Sequence, residues 1–239
     1  MIALLRYQTA ILLRSHRWIF PLIAYGLLIG VGAAGSSSLA ETLDWSGAML
    51  VPVVAFLTRG MLTAEPDAAR ACVSAAAGPV RAQLATLIVP LGGGAVLGLA
   101  AAVFDVLTAE AATRTPGSGL SAKIAAVAHH PGIVAAGLLI ALVCLLVGSA
   151  AGALCNPPLL RHPAAAMLST LAAIILGLAA GVSPANAAVS HTTAQAASPL
   201  AVNWPGTGSL IGAACLLAVS WTVSVMAGTR RDTWSPSST

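Results

Sequence analysis

Charge is what this sequence has least of. Seven acidic and eleven basic residues in 239 leave it 8% charged, against roughly 25% for a soluble domain. That shortage excludes a soluble globular enzyme, a nucleic-acid-binding domain and a disordered tail protein. Lysine is nearly absent: ten of the eleven basic residues are arginine, and Lys123 is the exception. With the high alanine content, this bias points to a high-GC bacterial genome. Cysteine is sparse. Cys72, Cys144, Cys155 and Cys215 form no CxxC pair, which argues against a zinc site or a disulfide framework. The motifs of several chemistries are also missing. G-x-x-x-x-G-K-[ST] needs a glycine before its lysine, and Lys123 follows Ala122, so the chain has no P-loop. HExxH and G-x-S-x-G do not occur.

What remains is apolar: 58% of residues are hydrophobic and the mean hydropathy is +0.91. A membrane span needs about 20 mostly apolar residues. Six stretches qualify, at about 18–40, 45–62, 82–104, 133–155, 164–182 and 209–227. They predict an all-α polytopic bundle occupying residues 18–228. A short tail, 229–239, follows, and residues 1–17 precede the bundle. In that first segment Leu4, Leu5, Ile11, Leu12 and Leu13 are interleaved with Arg6, Gln8, Arg14 and His16, the pattern of an amphipathic helix lying in the membrane interface. A cleaved signal peptide ending near Ala40 is the weaker reading of the same region.

Basic residues orient the bundle. With the N-terminus inside, the inner pieces hold Arg6, Arg14, Arg17, Arg59, Arg70, Arg81, Arg161, Arg230 and Arg231, and the outer pieces only Arg114 and Lys123. Both termini are therefore expected in the cytoplasm of a bacterial plasma membrane. Glu41, Asp44, Asp105 and Glu110 then fall outside, and the membrane interior is expected to be almost free of ionisable groups. Such an interior disfavours an ion-coupled carrier.

Residues 63–81 are the most polar internal stretch. Thr63 is placed to cap a helix whose first turn holds Pro66 and two acids, Glu65 and Asp67, and Gly78 and Pro79 end it. The helix is read either as a solvated connector or as a docking element for a cytoplasmic partner. Residues 156–163 form a tight proline-bounded turn. Residues 183–208 carry no formal charge, which predicts a segment folded back into the outer membrane face rather than an exposed loop. Residues 105–132 have no assigned role.

Glycines recur in GxxxG pairs: Gly26 and Gly30, Gly94 and Gly98, Gly148 and Gly152, Gly177 and Gly181, Gly208 and Gly212. They predict close helix packing, or an oligomer interface on one of these faces. Pro90 with Gly92, Gly93 and Gly94 predicts a kink, or an unwound binding segment. Arg59 either snorkels to the inner interface or pairs with Glu65 or Asp67. His129 and His130 read as interfacial anchors.

The architecture, together with the run from Trp45 through Pro52, Thr58 through Pro66, and Ala69 through Cys72, resembles the small six-span permease subunits of bacterial ABC exporters, the actinobacterial ones in particular. In that family the helix after span 2 is the coupling helix, docking in a cleft of the ATPase. The resemblance carries this role to Glu65, Asp67 and Arg70, with Arg81 flanking. It implies an ABC ATP-binding subunit as partner, which alone holds ATP and magnesium. It also implies a second copy of the permease or a related subunit, within the lipid bilayer. No cofactor or catalytic activity of its own is expected. A non-transporting scaffold and a secondary carrier are the other readings.

Overall fold

The structure is a computed structural model and describes residues 1–16, 18–35, 39–108, 131–155, 163–179, 183–193 and 206–232. Expectations resting on Arg17, residues 109–130, residues 156–162, Gly181, residues 194–205 or residues 233–239 lie outside it. So do those on the side chains of Asp67, Arg230 and Arg231. All the regular structure described is helical. The order is α1 (Ile2–Arg14), α2 (Ile19–Gly35), α3 (Leu39–Leu62), α4 (Asp67–Ala77), α5 (Pro79–Thr108), α6 (Pro131–Leu154), α7 (Pro163–Ala179), α8 (Pro184–Thr193) and α9 (Thr207–Asp232).

Five of the membrane-length runs are apolar enough to cross a bilayer, the fourth of them extending from α7 into α8. α1 and α2, bent by 74° at their junction, together pass as a sixth. His16 makes that bend possible: its φ of 53° breaks the helical path, and its Nδ1 lies 2.8 Å from the Arg14 carbonyl. The Trp18 indole N–H then donates to the Leu13 carbonyl at 3.3 Å.

α3 and α6 are the central pair. α5 and α2 pack on α3, α9 packs on α6, and α8 is lodged among α3, α6, α7 and α9. The main core runs along the central pair, with Val51, Ala55, Ile140, Val143, Cys144 and Val147 buried together. On the outside, α2 exposes Phe20, Leu27 and Val31, α5 exposes Val96 and Leu99, and α7 exposes Leu168 and Ile175. Large apolar side chains exposed on several long helices are the lateral surface of a protein solvated by lipid. The chain is a multi-pass helical membrane protein.

The glycine pairs divide by what lies opposite. A Cβ on Gly148 would sit 2.6 Å from the Val51 carbonyl oxygen, and one on Gly152 would sit 2.5 Å from that of Ala55. Here two backbones touch. A Cβ on Gly94 meets Leu145 and Val54 side-chain ends at 2.6 Å, and on Gly98 the end of Leu50 at 3.2 Å. Gly177 and Gly212 have only ordinary contacts, with Val147 and Pro184. Gly26, Gly30 and Gly208 face open space, so the close packing expected at Gly26 and Gly30 has no partner helix among the described residues. On α2 the crowded glycine is Gly32, which lies against the Trp45 ring. The Trp45 indole donates to the Leu28 carbonyl at 2.9 Å, fastening α2 to α3.

Several helix boundaries differ from those expected of the spans. α3 begins at Leu39 rather than 45 and α5 runs to Thr108 rather than 104. α5 stays helical through Pro90 and Gly92 to Gly94, so the segment is not unwound there, and Pro90 is buried. Thr63 does not cap α4: its hydroxyl donates back to the Arg59 carbonyl at 3.1 Å and closes α3. Pro66 occupies the cap position of α4, and Gly78, at φ 86°, ends it. In the uncharged stretch 183–208, the first part is α8. Ala185 and Ala188 of α8 are fully buried, and Asn186 donates to the Leu178 carbonyl at 2.6 Å.

Candidate functional site

The residues of the expected docking helix lie at one end of the bundle, where α3 hands over to α4. Eleven residues form α4, too few to be stable alone, so its placement depends on ties to its neighbours. Arg70 makes one of them, its Nη2 donating to the Leu62 carbonyl at 2.7 Å. That bond satisfies a helix-end acceptor and aims the guanidinium inward. Glu65 makes another. It is 7% exposed and sits under α1, where the Gln8 amide donates to its Oε2 at 3.3 Å. Gln8 is itself fully buried. The Tyr7 hydroxyl also lies close to the Glu65 carboxyl. So Glu65 and Arg70 face into the chain, and Arg81 is exposed. The Arg59 Nη1 donates to the Thr170 hydroxyl on α7 at 3.4 Å.

The outward surface of α4 is small and nearly apolar. Ala68, Ala71, Cys72, Ala75 and Ala76 are exposed, and their spacing of i, i+3, i+4, i+7, i+8 is one helix face. No sequence argument picked out this stripe, although the same spacing was there to be read. Gln8 was missed for a different reason: its partner is 57 residues away.

Partial burial raises the Tyr7 phenol above its ordinary range, and the Glu65 carboxylate adds to the rise. The contact's stability is therefore complete below the free-tyrosine value and is lost as pH climbs through the raised one. Glu65→Gln should move the phenolate titration of Tyr7 part of the way back, read by absorbance in a Tyr25→Phe background. No movement would mean that Glu65 does not face Tyr7.

The opposite end holds acids inside the bundle. Asp105 of α5 is 1% exposed and Asp44 of α3 is 7% exposed. Their neighbours include Ser46, whose hydroxyl faces the Asp105 carboxyl, and Tyr25, whose hydroxyl donates to the Ser46 carbonyl at 3.1 Å. The sequence reading puts both acids on the outer side, beyond the ends of their spans. The longer α3 and α5 draw them in. Among the described residues no group of three His, Cys, Asp or Glu is arranged to hold a metal.

No family model, no curated protein and no solved structure matches this chain.

Proposed function

We propose that the chain is the membrane-spanning subunit of an ABC transporter, an exporter half that moves its substrate with energy from a separate ATP-binding subunit. One observation carries the reading. A short helix, α4, lies between two membrane-length helices, is fixed from behind by Arg70 and Glu65, and turns an unobstructed face of small residues outward. A connector needs no such bracing. A lever that must pass a partner's motion into the bundle does, because slack in its ties would absorb the displacement.

In this reading six spans cross the membrane, the first being α2, with α1 in the cytoplasmic interface and both termini inside. The ATP-binding subunit covers Ala71, Cys72 and Ala75, and Asp67 and Arg81 flank it. ATP binding there closes the ATPase pair, and α4 carries the motion to α3 and α5. The cleft lined by Leu12, Ser15, Trp18, Phe56, Leu57 and Gly60 has room for about one water molecule. A substrate path is accordingly assigned to the space between this subunit and a second copy or related permease. The apolar lateral faces favour an amphipathic or hydrophobic substrate.

The orientation has its own test. Reporters of cytoplasmic and external location, fused at Thr239 and inserted at Ser118, should report inside and outside respectively. An external C-terminus would place α4 on the wrong side for an ATPase and end the proposal.

A further inference from the structure

Asp105 lies within one turn of the end of α5, enclosed by α2 and α3. One side of its carboxyl faces the Ser46 hydroxyl. The other oxygen, Oδ2, is buried and has no hydrogen-bond partner. Among the described residues, the groups around it do not supply a counter-charge. Tyr25 approaches from α2 and is 3% exposed, its proton already committed to the Ser46 carbonyl. Asp44 stands on α3, within electrostatic reach of Cys144 on α6, and Cys144 in turn is within reach of Tyr25. These are one further acid, a phenol and a thiol. None is a cation at neutral pH.

A carboxylate enclosed in this way, with one hydroxyl for company, keeps a charge that neither water nor protein compensates. Three ligands could remove that burden. A divalent metal needs several oxygen or nitrogen donors, and no group of three such titratable residues exists among those described. A sodium ion also needs a cage of oxygens, and the Ser46 carbonyl is already engaged. A proton needs one oxygen, and Oδ2 is that oxygen.

We propose that Asp105 is a proton-binding site of the bundle, its Oδ2 carrying a proton at neutral pH while α2, α3 and α5 are packed together. The step is a simple exchange. The carboxylate takes a proton from hydronium and leaves water, and gives it back when the helices part enough for water to reach Oδ2. Ionised Asp105 then favours the parted arrangement and protonated Asp105 the packed one, which ties the seating of α2 to proton uptake. The inference is independent of the ATPase reading, and its test involves no ATPase, so either can fail without the other.

The test is infrared spectroscopy of the full chain in proteoliposomes at pH 7. Subtracting the Asp105→Asn spectrum from the wild type should leave a carbonyl band of a protonated carboxylic acid, which shifts down in heavy water. The same subtraction with Asp44→Asn should not show this band, because both proteins keep Asp105 and its contribution cancels. Asp105→Asn, a neutral side chain of the same shape, should also match the wild type in yield and melting temperature. A difference spectrum showing carboxylate bands at pH 7 would overturn the proposal. Should Asp105→Asn fail to fold, carboxyl-labelled aspartate in the wild type gives the reading by solid-state NMR: a protonated carboxyl resonance at pH 7 supports the site, and its absence removes it.

Discussion

Gly152→Leu should leave almost no correctly folded chain in the membrane, and Gly148→Val should come close to it. At both positions the obstacle is backbone. A first side-chain carbon on Gly152 meets the Ala55 carbonyl oxygen at 2.5 Å and the Thr58 Cβ at 2.8 Å, and one on Gly148 meets the Val51 oxygen at 2.6 Å and its Cα at 3.1 Å. Side chains can rotate out of the way, but a helix backbone cannot, so α3 and α6 must separate along their length. Overpacking a core costs about 1–3 kcal/mol in ordinary cases. Here the separation also opens the cluster of Val51, Ala55, Ile140, Val143 and Val147, which puts the cost at the upper end or beyond. Gly94→Ala should be milder, since what it meets is the ends of Leu145 and Val54. Gly26→Ala and Gly30→Ala, with nothing within 4 Å, should change stability by no more than about 0.5 kcal/mol. Yield after mild extraction, monodispersity and thermal unfolding read all five. Normal yield and melting of Gly152→Leu would mean that the central pair does not pack as described.

That contrast marks what could be read from the sequence. A four-residue glycine spacing says that a helix has a flat strip. It does not say what lies opposite, and the strips of α6 and α2 meet a backbone and open space respectively. The existence of the long helices was legible because hydrophobic length suffices to call them. So was α4, bracketed by Pro66 and by Gly78 with Pro79. Charge was misleading at the ends. An apolar run ends before its first acid, which leaves Asp44 and Asp105 beyond the spans, whereas α3 and α5 continue past them and bury them. Glu65 was equally ambiguous. An acid at a helix start is expected to serve the helix dipole, and nothing local reveals that α1 folds across it with Tyr7 and Gln8.

The second large effect is expected on α4. Ala71→Trp and Ala75→Trp change side chains that are exposed, on the face turned away from Arg70 and its tie to Leu62. Yield and melting temperature should therefore stay within the small range of surface substitutions. If the face seats in a cleft of an ATP-binding subunit, an indole cannot be accommodated where a methyl fits. A penalty of about 1–3 kcal/mol weakens that contact by roughly 5- to 150-fold. ATPase retained with the purified complex should fall at least about fivefold, and ATP-driven transport with it. Arg70→Ala acts differently. It frees α4 from α3, so it should lower the coupling of transport to hydrolysis more than it lowers binding. Tryptophan variants that retain the ATPase as well as wild type would reduce α4 to a connector.

The most direct measurement uses a residue already in place. Cys72 is exposed at the centre of the α4 stripe, Cys144 and Cys155 are buried, and Cys215 lies on the membrane-length α9. A water-soluble maleimide applied to inside-out native membrane vesicles should therefore modify Cys72 before the others. In vesicles stripped of peripheral proteins by urea, modification should be fast. In unstripped vesicles it should be at least tenfold slower, and the stripped fraction should contain an ATP-hydrolysing protein whose return restores protection. Equal rates of Cys72 modification in stripped and unstripped vesicles, with no such protein released, would contradict the assignment of this chain as the membrane half of an ATP-driven transporter.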